Sequence, residues 1–123
     1  MNRSRPKNLN LFTIHFPIPA IISILHRITG VFLLLLIPLV LWALDFSLTE
    51  SGFNTLSDWF GTLYIKILCW ILLVPFCFHL LAGIRHLLSD IHIGDSLKSG
   101  RASAVLVFIF SILFMIVLGI WLW

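Results

Sequence analysis

With 123 residues the chain has room for one compact unit. Sixty per cent of it is hydrophobic and 11 % is charged, against roughly 25 % charged in an ordinary soluble domain; so few charges cannot coat a water-soluble surface, which speaks against a soluble globular fold, a disordered tail and a nucleic-acid-binding role. The formal charge of +3 is modest, and the two cysteines, Cys69 and Cys77, form no CxxC or CxxCH pattern, so a disulfide scaffold and covalently attached haem are disfavoured as well.

The N-terminal segment carries Arg3, Arg5 and Lys7, but its basic stretch runs into Pro6, Asn8, Asn10 and Thr13. A signal peptide would lead into a short apolar core with a small-residue cleavage site, and the segment is too short for a mitochondrial transit peptide. Leu9, Leu11, Phe12, Ile14 and Phe16 are expected to lie on a membrane surface, and Pro17 and Pro19 suit the entry to a helix. Three apolar stretches follow, Ile18–Leu44, Tyr64–Leu88 and Ala104–Trp123. Each is long enough to cross roughly 30 Å of hydrocarbon as a helix. Three segments without alternation cannot close a β-barrel. The expectation is an all-α integral membrane protein, with residues 1–123 forming one membrane domain of three transmembrane helices.

Basic residues set the expected orientation. The first connector holds Asp45, Glu50 and Asp58 and no Lys or Arg; the second holds Lys98 and Arg101, with Arg85 just before it. Lys and Arg favour the cytoplasmic side, so the N-terminus is expected in the cytoplasm and the C-terminus in the periplasm of a bacterial inner membrane. Trp42, Trp59, Tyr64, Trp121 and Trp123 gather at the outer ends as an interfacial belt would, and Lys66 can snorkel to the same interface.

Ionisable residues inside a membrane are costly, about 2.5–3.5 kcal/mol for a mid-helix Arg, and mark function or a paired partner. They fall in two clusters. In the first, Ser23, Arg27 and Gly30 share one helical stripe beside His26. A hydroxyl and a guanidinium one turn apart can hold a carbonyl or carboxylate oxygen, and Gly30 leaves a groove for a flat group or another helix. The plainer alternative has Arg27 reaching lipid phosphate, Ser23 bonding its own backbone and Gly30 packing against a helix. In the second, His79, Gly83 and His86 share a face, with Arg85 and Asp90 close by. His79 lies about nine residues from the inner end of its span, roughly 13 Å of helical rise. An imidazole at that depth needs a partner, either a neighbouring helix or a haem iron, for which the small Gly83 would let a porphyrin lie close. His26, Arg27, Arg85 and His86 lie nearer the inner surface, where haem propionates would point. Pro75, four residues before His79, is expected to kink its helix. Cys69 and Cys77 read as apolar packing, His15 and His92 as surface residues, and Asp90 and Asp95 as proton-steering or helix-ending groups. By depth, His26 and His79 leave a ligand pair within this chain open.

The pattern Arg5-Pro6-x-Asn8-Leu9, Ser23-x-x-His26-Arg27-x-x-Gly30 and His79-x-x-x-Gly83-Ile84-Arg85-His86-Leu87-x-x-Asp90 resembles the cytochrome b membrane-anchor subunits of bacterial succinate dehydrogenase, across the whole chain. The resemblance implies that His79 is one axial ligand of haem b, with the other axial histidine coming from a second small anchor subunit. It further implies that His26 and Arg27 meet the propionates, with Gly30, Gly83, Arg85 and His86 around the haem. Ser23 and Arg27 would help bind ubiquinone, and Asp90 would stand on a proton path. An iron–sulfur subunit and a flavoprotein subunit would complete the complex, with succinate oxidation on the flavoprotein. The chain itself has no nucleotide fingerprint, no cysteine cluster and no room for a dicarboxylate site. Two other readings compete: the anchor of a fumarate reductase, and a non-redox membrane scaffold whose histidines only join helices.

Overall fold

The computed structural model describes residues 15–94 and 96–123. The basic residues Arg3, Arg5 and Lys7, the surface segment from Leu9 to Ile14 and the acid Asp95 lie outside the described residues. The described chain forms four helices: α1 (Ile18–Ser47), α2 (Glu50–Phe60), α3 (Leu63–Asp90) and α4 (Leu97–Leu122). Three of these, α1, α3 and α4, are long and apolar enough to cross a membrane. At 1.5 Å per residue they measure roughly 39–45 Å, more than the hydrocarbon core requires, so their ends reach into the headgroup layers.

The helix ends differ from the apolar boundaries read in the sequence. α1 continues past Leu44 to Ser47, and α3 gains Leu63 at its start and Ser89–Asp90 at its end. The largest change is in α4, which begins at Leu97 instead of Ala104. Its N-cap, Ser96, accepts a hydrogen bond from the Ser99 N–H at 3.1 Å, and this holds the polar turns around Lys98 and Arg101 in helical form. Pro19 falls in the first turn of α1, where its missing N–H breaks nothing. Both α1 and α3 stay helical through Pro38 and Pro75.

Helix α2 was not among the sequence expectations, which treated its residues as a connector. Thr49 caps it by accepting from the Gly52 N–H at 3.1 Å, Glu50 sits favourably in the first turn, and Gly61 closes it. Its aromatic side packs back on the end of α1, with Phe46 stacked against Trp59 and Trp42 stacked against Phe46. Gly52 is buried against the end of α1, so closely that a Cβ there would meet the Phe46 carbonyl.

The three long helices pack antiparallel in sequence, with α3 between α1 and α4. Their shared core is Ile22, Phe78, Ala82, Ala104 and Val107, flanked by Leu25, Leu81 and Phe108. Ala82 and Ala104 allow close helix approach, the usual solution where lipid removes the hydrophobic drive for association. At one end, Trp70 Nε1 donates to the Met115 carbonyl at 3.1 Å, and Gly119 leaves room for the indole, since a Cβ there would lie 3.0 Å from Nε1. At the other end, Arg85 joins α3 to α4. Most large apolar side chains point outward, as a membrane solvent demands. The antiparallel order also gathers Trp42, Trp59, Tyr64, Trp121 and Trp123 at one end and Arg27, Arg85, Lys98 and Arg101 at the other.

Candidate functional site

The two clusters read from the sequence meet between α1 and α3. The His79 ring reaches α1, where its Nδ1 lies 3.0 Å from the His26 carbonyl oxygen and 3.2 Å from Thr29 Oγ1. A carbonyl oxygen can only accept, so Nδ1 carries the proton and donates it. In the neutral imidazole the other nitrogen, Nε2, then keeps its lone pair, and it has no hydrogen-bond partner among the described residues. Thr29 supports this arrangement: its hydroxyl donates within α1, toward the Leu25 and His26 carbonyls, each at 2.9 Å, which leaves its lone pairs facing His79. An imidazole held by a backbone carbonyl through one nitrogen, with the other nitrogen bare, is the form a metal-bound histidine takes.

His26 stacks on His79, ring centroids 4.1 Å apart and planes 14° from parallel, and His86 lies 5.1 Å from His26 at a tilt of 46°. Two glycines make this possible in reciprocal fashion. A Cβ on Gly30 of α1 would lie 3.0 Å from His79 Cε1, and a Cβ on Gly83 of α3 would lie 3.2 Å from His26 Nε2. Gly83, expected to leave space for a porphyrin, also gives room to the His26 ring. The stacked rings lie face to face, so their ring nitrogens do not point at one another. From Gly30 an open apolar cleft of about 960 Å³ runs between α1 and α3, past Leu33, Ile37 and Phe76, to Phe60 and Trp121.

Ser23 is half-buried and Arg27 exposed, on the same side of α1. Neither has a hydrogen-bond or ion-pair partner among the described residues. The plain reading, in which Ser23 bonds its own helix, is not what the structure has. Thr29 and Ser111 do so, Ser111 Oγ donating to the Val107 carbonyl at 2.7 Å, but Ser23 does not. Asp90 ends α3, exposed, one helical turn beyond His86.

The sequence profile of the succinate dehydrogenase/fumarate reductase transmembrane subunit matches residues 1–118. The succinate dehydrogenase cytochrome b556 subunit of Coxiella burnetii (strain RSA 493 / Nine Mile phase I) is 41 % identical over 125 residues, covering 100 % of both chains. That of Rickettsia prowazekii (strain Madrid E) is 35 % identical, covering 94 % of this chain and 91 % of its own. The succinate dehydrogenase cytochrome b560 subunit of Reclinomonas americana is 39 % identical, covering 73 % and 67 %. The chain belongs to the family of succinate dehydrogenase cytochrome b membrane subunits. It is a multi-pass protein of the bacterial inner membrane and a membrane subunit of a multi-subunit enzyme.

Within this family member, one residue grouped by sequence is not brought to the cluster. Arg85 faces α4, its Nε donating to Ser103 Oγ at 3.1 Å and its Nη2 to the Gly100 carbonyl at 3.3 Å. One position from His86 is about 100° around a helix, which is enough to turn it to the other side. Two groups that sequence reasoning passed over, Thr29 Oγ1 and the His26 carbonyl, turn out to fix the His79 ring. Among the described residues no three His, Cys, Asp or Glu side chains are grouped to hold a metal ion.

Proposed function

We propose that this chain is the haem-carrying anchor of succinate dehydrogenase, with His79 as one axial ligand of haem b and with Ser23 and Arg27 forming part of a ubiquinone-reducing site. The observation that carries the reading is the His79 imidazole, tied at Nδ1 to the His26 carbonyl with Nε2 bare, in the apolar interior next to the cleft at Gly30. These residues fit a haem: one imidazole nitrogen is ready for iron, apolar walls adjoin it, and cationic and imidazole groups (Arg27, His26 and His86) lie toward the basic end, where propionates would face. The resemblance to cytochrome b anchor subunits supports a second axial histidine from a second small anchor subunit, with the haem shared between the two chains. When bound, the haem supplies a one-electron carrier inside the membrane.

Ser23 and Arg27 act on the quinone. The hydroxyl donates to a quinone carbonyl oxygen, and the guanidinium, with five N–H groups, stabilises the negative charge that develops there as electrons arrive from the iron–sulfur subunit. Asp90 and His86, one turn apart, supply protons from the aqueous side. Succinate oxidation belongs to the flavoprotein subunit. The basic end faces the cytoplasm, which puts the C-terminus in the periplasm.

Purification of the intact complex in mild detergent tests the assignment. The expected result is co-purification with a flavoprotein, an iron–sulfur subunit and a second small membrane protein, with a reducible b-type absorption spectrum. A colourless assembly would overturn the haem assignment. Orientation has its own check: a reporter fused after Trp123 should be active in the periplasm, and cytoplasmic activity would reverse the topology.

A further inference from the structure

On the far side of α3 from the histidines, a second cavity of about 350 Å³ opens between α3 and α4 at the basic end of the bundle. We infer that it binds an anionic phospholipid, with the phosphate diester at Arg85 and an acyl chain along Leu81, Ile84, Leu106 and Phe110.

Three observations converge on that chemistry. First, the lining is graded. Arg85, Ser89, Ser99 and Ser103 form one part, and Leu81, Ile84, Leu106 and Phe110 lie deeper along the two helices. A polar mouth leading into an apolar trough within the membrane matches a headgroup followed by its chain. Second, Arg85 is the only ionisable side chain in the lining among the described residues, and it is half-buried. Its two bonds go to neutral acceptors, Ser103 Oγ and the Gly100 carbonyl, and no carboxylate among the described residues pairs with it. Asp90 is exposed and does not line the cavity. A guanidinium has five N–H donors, so donors remain after those two bonds to neutral acceptors. Third, the hydroxyls of Ser89 and Ser99 stand at the same mouth without a hydrogen-bond partner among the described residues, while the Ser99 backbone N–H is used by the Ser96 cap. Lys98 and Arg101, exposed in the first turns of α4, add positive potential at that level of the bilayer. Basic pockets between transmembrane helices are known settings for anionic headgroups. Free phosphate would satisfy the mouth but would leave the apolar trough without an occupant.

The test uses the whole complex, stripped of loosely bound lipid and exposed to equimolar phosphatidylglycerol and phosphatidylcholine, with retained lipid counted by native mass spectrometry. The wild type is expected to hold phosphatidylglycerol about fivefold over phosphatidylcholine, the ratio that roughly 1 kcal/mol per cation provides. Arg85→Gln should remove the preference, but it also cuts the bonds to α4. Ser89→Asp therefore carries the decision: it leaves Arg85 and its acceptors on α4 unsubstituted and places a carboxylate where the phosphate would sit, and it should abolish the preference in a complex that still assembles. Equal retention of both lipids by the wild type would overturn the inference, as would an undiminished preference in Ser89→Asp. Excess inorganic phosphate should leave the bound lipid in place; its displacement would contradict an acyl-anchored ligand.

Discussion

Arg27→Leu is expected to lower ubiquinone reduction by the assembled complex by about 10- to 100-fold, while electron transfer to an artificial dye taken from the soluble subunits stays within about twofold. The range follows from losing a charge-assisted hydrogen bond, worth about 1.5–3 kcal/mol. Arg27 is exposed on α1, with no partner among the described residues, so its removal breaks no packing. Ser23→Ala acts on the same stripe but removes a neutral donor, so a smaller loss of about five- to tenfold is expected, in the same direction. The comparison of two acceptors separates chemistry from assembly. If dye and quinone activities fall together, the substitution has weakened the complex instead, and the quinone role is contradicted.

The three spans were legible because a run of some 20 apolar residues is what a helix needs to cross hydrocarbon and is rare in chains that fold in water. Their ends were not. Hydropathy locates hydrocarbon, whereas a helix continues wherever its backbone is capped, and the Ser96 cap extends α4 through Lys98 and Arg101. Helix α2 was overlooked for a related reason. Its acids mark it as a connector, yet Thr49 before Glu50, with Phe53, Leu56 and Trp59 spaced three apart, is an amphipathic helix with its own start signal. The common face of His79, Gly83 and His86 could be read from spacing alone, as could the stripe of Ser23 and Arg27. The same helical arithmetic would have turned Arg85 away from them. The acceptor that orients His79 could not be read, because it is a backbone carbonyl, and any residue at position 26 supplies one. The reciprocal fit of Gly30 to His79 and Gly83 to His26 was also out of reach, since it depends on the register between two helices that the sequence does not specify.

With His79 as the proposed iron ligand, removing its imidazole should cost more than removing a group that only supports a ligand, which by itself typically costs 10–100-fold in metal affinity. Haem content should therefore fall at least on that order. His79→Gly is the informative form of the change, since it leaves an imidazole-shaped space beside Gly30, the His26 carbonyl and Thr29 Oγ1. Free imidazole can enter that space and donate one N–H to the same carbonyl while offering its other nitrogen outward. The decisive measurement is the reduced-minus-oxidised optical spectrum of the purified His79→Gly complex, recorded before and after addition of haem and imidazole. The b-type bands should be absent or strongly diminished before imidazole and restored after it; bands of wild-type shape and strength before any imidazole is added would show that the iron is held elsewhere.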